Sequence, residues 1–74
     1  MPTYTVATTL RAEHVPTKAL SEILSRSEAE GWDPEVDYVS GPGSVLTFEV
    51  RATSFDDLLA TLRAIHETIG NASA

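Results

Sequence analysis

The sequence predicts a small α+β domain of βαββα order. Three observations predict it. Apolar residues alternate with period two near the start and again at residues 45 to 52. Two other stretches carry apolar residues at helical spacing. Proline or glycine stands at most junctions between them.

Residues 3 to 11 alternate Tyr4, Val6, Thr8 and Leu10 with Thr3, Thr5, Ala7, Thr9 and Arg11, a first strand rich in β-branched side chains. The first set should face a core. Residues 12 to 15 read as a connector. Pro16 suits the first turn of a helix, where its missing N–H is no loss. Leu20, Ile23, Leu24 and Ser27 then share one helical face, and Lys18, Glu22, Ser25, Arg26 and Glu28 cover the rest. Glu22 and Arg26 are four apart, in the favourable order for a surface ion pair. Gly31 is placed to end the helix in the left-handed conformation, Trp32 to pack back on its last turn, and Pro34 to prevent continuation.

Residues 35 to 40 read as a second strand, with Val36 and Tyr38 on one face and Val39 on the other. Gly41-Pro42-Gly43 is a turn signal, because proline presets φ and glycine accepts a positive one. In residues 45 to 52, Leu46, Phe48, Val50 and Ala52 alternate with Val45, Thr47, Glu49 and Arg51, and this strand should form a hairpin with the second. Ser54 caps the second helix, with Asp56 and Asp57 in its first turn near the positive end of the helix dipole. Phe55, Leu58, Leu59, Leu62, Ile65 and Ile69 make one apolar stripe. Gly70 should end the helix, leaving residues 71 to 74 as a frayed tail on a single domain spanning 1 to 74.

A right-handed crossover makes strands one and two parallel, and strand three can lie between them. The expected fold is therefore a three-stranded antiparallel/mixed sheet of order 1-3-2 with two helices on one face. This is the ferredoxin-like split βαβ pattern lacking its final strand. Strand one is left with an open edge.

Composition narrows the function. The chain has 74 residues, no cysteine, 11 acidic and 5 basic residues, and a formal net charge of −6. Lys18, Arg11, Arg26, Arg51 and Arg63 are scattered, so nucleic acid is not an expected partner. No apolar run approaches the ~20 residues of a membrane span, and no signal peptide is visible. Lack of cysteine excludes disulfides and thiolate metal sites and fits a cytoplasmic setting. His14 and His66 make no metal site by themselves, and no cofactor is expected. A chain this short has a marginal core and usually needs a staple. With none visible, self-association is expected, most simply a homodimer.

The surface for it is the outward face of the sheet, carrying Thr3, Thr5, Ala7 and Thr9 with Val39, Val45 and Thr47, a set free of charge. Either two strand-one edges join into one six-stranded sheet, or two such faces stack. The reading is a non-enzymatic protein-interaction or assembly module that binds a protein partner, another copy first of all. An alternative is a small enzyme using His14 beside Glu13 as an acid–base pair. No HExxH, CxxC, P-loop or other catalytic motif accompanies that pair. Asp56 and Asp57 point in different directions on a helix and read as capping residues.

In outline, with Val15-Pro16 before the first helix, Gly31 after it and Phe48-Glu49-Val50 before the second, the layout resembles ligand-binding regulatory modules of the ACT type. Thr17 stands where those modules carry a glycine, and the fourth strand is missing. The resemblance implies a small-molecule sensor with its site near Arg11, His14 and the start of the first helix, at a dimer interface.

Overall fold

In the computed structural model, which describes residues 3–38 and 43–74, strand β3 (Ser44–Ala52) lies between β1 (Val6–Val15) and β2 (Glu35–Tyr38) and runs antiparallel to both. The helices are α1 (Leu20–Glu30), entered through a 3-10 turn at Thr17–Ala19, and α2 (Phe55–Ser73). The order βαββα and the 1-3-2 sheet are those expected. The expected turn at Gly41-Pro42, and Val39 before it, lie outside the described residues.

The core lies between one face of the sheet and the two helices. Leu46, Phe48 and Val50 of β3 are buried against Leu20 and Ile23 of α1 and Leu58 and Ile65 of α2. Val6, Leu10 and Ala12 of β1 and Val36 of β2 close the flanks. Phe48 sits at the centre, fully buried, with Trp32 edge-on to it at 6.4 Å between ring centroids and 79° between planes.

Helix ends follow from their capping residues. Ser54 Oγ accepts from the Asp57 backbone N–H at 3.1 Å, satisfying one of the free donors of α2's first turn. Gly31 adopts φ +75°, and α1 ends in paired reverse bonds, Gly31 N–H to Glu28 C=O at 3.3 Å and Trp32 N–H to Ser27 C=O at 2.9 Å. That reversal delivers Trp32 onto Phe48. The surface pair on α1 is Arg26 with Glu30, at 3.3 Å, in place of the expected Glu22 with Arg26.

Two elements differ from expectation in their extent. β1 starts at Val6 and continues to Val15, through the stretch read as a connector. It does so across a bulge: the ladder is regular from Val6↔Ala52 to Ala12↔Leu46, then slips to Val15↔Ser44, with His14 at φ 59°. Gly43 lies against that bulge so closely that a Cβ on it would meet the Val15 carbonyl oxygen at 2.6 Å. α2 runs through Gly70 to Ser73, so residues 71 to 73 are helical instead of frayed. Ile69 and Ala72 pack against the core, and that packing offsets the cost of a helical glycine.

Candidate functional site

The apolar stripe of α2 is wider than the core can use. Successive helical residues are about 100° apart, so Phe55 and Leu59 stand about 60° and 100° round the helix from Leu58, on the same side. Leu58 and Ile65 face the sheet and are buried, whereas Phe55 is 60 % and Leu59 45 % exposed. With Val6, Ala7 and Thr8 of β1 and with Leu58 and Leu62, they line an open groove of about 520 Å³. Tyr4, 66 % exposed and of the same parity as Val6 and Thr8, precedes it. These three are the exposed large hydrophobic residues among the described ones. Single exposed apolar residues are ordinary, but a cluster beside an unpaired strand edge marks a surface suited to a partner. The groove occupies the place a fourth strand takes in the complete split βαβ pattern.

Sequence reasoning missed Phe55 and Leu59 as surface residues by assigning the whole stripe to the core. Their angular offset from Leu58 and Ile65 was the available signal.

The outward sheet face is less bare than expected. Ala7 and Thr9 are exposed there, opposite Arg51 and Glu49 of β3. Thr47 is flanked by Arg11 and Glu35, and Val45 by Asp37. Arg11, Glu49 and Arg51, which alternation already places with the threonines and Val45, share that face with Glu35 and Asp37, which the β2 register adds. Val45 is only 9 % exposed within the single protomer, so little of it remains to offer. Thr3 and Thr5 are exposed but precede β1.

Arg11 and His14 are both exposed at the bulged end of β1. Arg11 Nε pairs with Glu13 Oε1 at 3.3 Å, with the side chains 63 % and 54 % exposed. Among the described residues the ion pairs are this one and Arg26–Glu30, so Glu13 is engaged by Arg11 and not by His14. His66, on α2, is exposed as well. Among the described residues no three His, Asp or Glu side chains gather as a metal site, and no helix is long and apolar enough to cross a membrane. A second, polar groove of about 660 Å³ between α1 and α2 carries Lys18, Glu22 and Arg26, charges of both signs with no common focus.

Fold and site define an α+β domain of the split βαβ type whose first strand is, among the described residues, paired on one side only, beside an apolar helix flank. No family model, no curated protein and no solved structure matches the chain. The outline shared with ACT-type modules is one of element order.

Proposed function

We propose that this chain is a non-enzymatic protein-interaction and assembly module that works as a homodimer joined through its sheet. The observation that carries the reading is the groove between Val6–Thr8 and the Phe55–Leu59 flank, an apolar surface bordering a strand edge with no partner. Unpaired strands present free N–H and C=O groups, and native proteins cover them or blunt them. β1 carries neither lysine nor proline to blunt it. A chain this small also gains more from a partner than a larger one, because its own core buries a smaller share of its surface. The lack of cysteine fits work in a reducing compartment such as the cytoplasm.

Sedimentation velocity up to high micromolar concentration tests the reading. The expected result is a shift from the 8.0 kDa protomer to twice that mass, with a melting temperature that rises with protein concentration by mass action. A protomer that stays single throughout overturns it.

A further inference from the structure

We propose that the β1 edge is closed by the β1 edge of a second copy, joining two sheets into one six-stranded sheet with the two α2 helices packed across the two-fold axis. This rests on the dimer reading above and fixes its surface and register.

The two sheet edges differ. β1 pairs regularly with β3 from Val6 to Ala12. β2, described over Glu35–Tyr38, follows Pro34 and carries Glu35 and Asp37. Proline and charge are usual devices that blunt an edge. With one open edge each, two copies close on one another, and the assembly stops at two.

The register follows from the bulge and from side-chain parity. The bulge after Ala12 limits the regular stretch to Val6–Ala12. Antiparallel pairing of that stretch with itself is centred on Thr9. Val6 then faces Ala12 and Thr8 faces Leu10 on the helix side, while Ala7 faces Arg11 and Thr9 faces its own copy on the outward side. A slip by one residue would turn the apolar set to the wrong face. No like charges stand opposite each other.

The helices fit the same axis. α2 packs against both β1 and β3, and the proposed dimer sets its axis over the gap between them. Strands are about 4.8 Å apart, which puts α2 about 4.8 Å from a two-fold lying half a spacing beyond β1. The two α2 axes are then about 9.6 Å apart, within the 8–10 Å of packed helices. Phe55, Leu59 and Leu62 fill that joint.

Charge agrees. The chain carries −6, yet residues 3 to 15 hold one arginine and one glutamate and are formally neutral. The edge is therefore a neutral strip on which a second acidic copy meets no local repulsion. Both β1 and α2 run counter to β3, so the two-fold makes the α2 helices antiparallel. Asp56 and Asp57 of the two copies then lie at opposite ends. The remaining long-range repulsion is screened by salt, so association should tighten as salt is added. The joint is a strip about 28 Å long and 15–20 Å deep, or roughly 840–1,100 Å² over both copies, near the lower limit for a specific interface. The dimer should accordingly dissociate on dilution.

The cysteine-free chain allows a direct test. Thr9→Cys puts one thiol on the axis, and Thr47→Cys puts one on the outward face of the central strand. Under mild oxidation Thr9→Cys should cross-link about tenfold or more faster than Thr47→Cys, as cross-strand pairs lie near disulfide distance. Leu59→Lys and Phe55→Glu should each weaken association about tenfold or more by sedimentation, with the far-ultraviolet circular dichroism unchanged. Phe55→Glu adds an acid to the first turn, which favours the helix. A dimer that ignores both variants, or that cross-links faster through Thr47→Cys, overturns the edge geometry and leaves a sheet-mediated dimer standing. A wild-type chain that never associates overturns both.

Discussion

Replacing Gly43 and Gly70 by alanine should move stability in opposite directions. At Gly43 the new Cβ would lie 2.6 Å from the Val15 carbonyl oxygen and 2.8 Å from the His14 carbonyl carbon. Ordinary contact is about 3.5 Å, and both neighbours are backbone atoms that cannot rotate away. Relief requires the β1 bulge and the start of β3 to part, breaking the Val15↔Ser44 pairing. Overpacking of this kind costs about 1–3 kcal/mol. The stiffer unfolded chain returns about 0.4–1 kcal/mol. The clash wins, with a net loss of about 1–2 kcal/mol and a fall in Tm of about 5–15 °C for a domain this size. At Gly70 an added Cβ meets nothing within 4 Å and sits inside α2. There alanine gains about 0.5–1 kcal/mol from helix propensity, a rise of about 3–8 °C. Thermal unfolding followed by the chain's one tryptophan, Trp32, and by far-ultraviolet circular dichroism measures both. Protein concentration must be held fixed, because association adds to stability. A Gly43→Ala protein melting within about 2 °C of the parent, or above it, would refute the close approach to the bulge.

Ser54→Ala removes the acceptor for the Asp57 N–H and should cost about 0.5–2 kcal/mol by denaturant titration. Phe48→Ala empties the centre of the core at about 3–5 kcal/mol. That is comparable with the roughly 4–11 kcal/mol a domain this size possesses, and loss of its cooperative unfolding transition is expected. Ser27→Ala should shift stability by less than about 1 kcal/mol, since the buried hydroxyl donates only to Ile23 C=O of its own helix at 2.7 Å and alanine is the better helix former. A double-mutant cycle on Arg11 and Glu13, both more than half exposed, should give a coupling below about 1 kcal/mol.

Most of the architecture was legible because each signal had one physical meaning. Gly31 followed by Trp32 and Pro34 allowed only a helix end, and Ser54 before two aspartates only a helix start. The alternation from Leu46 to Ala52 left one choice of inward face. β1 beyond Arg11 was hidden because its bulge puts His14, not a glycine, at positive φ. Val15 before Pro16 was the clue to extended backbone there. The end of α2 was misjudged because Gly70 is a local signal, whereas Ile69 and Ala72 bind the last turn to the core through contacts no local reading contains. Two features of the candidate site depended on pairing. Register brings Glu35 and Asp37 beside Thr47 and Val45, and periodicity alone could not divide Phe55 and Leu59 from Leu58.

The central position of β3 also sets the order in which the molecule can be made. Val6 pairs with Ala52, 46 residues later, whereas Tyr38 pairs with Ser44, six later. Loop closure grows costlier with length, so the short hairpin can form early and the long-range pairing comes last. On the ribosome the first strand emerges well before its mate and must wait, with Val6, Leu10 and Ala12 uncovered, until Ala52 has left the tunnel. Thr8, Thr9, Arg11 and Glu13 keep that waiting segment hydrated when nascent chains are most prone to clump.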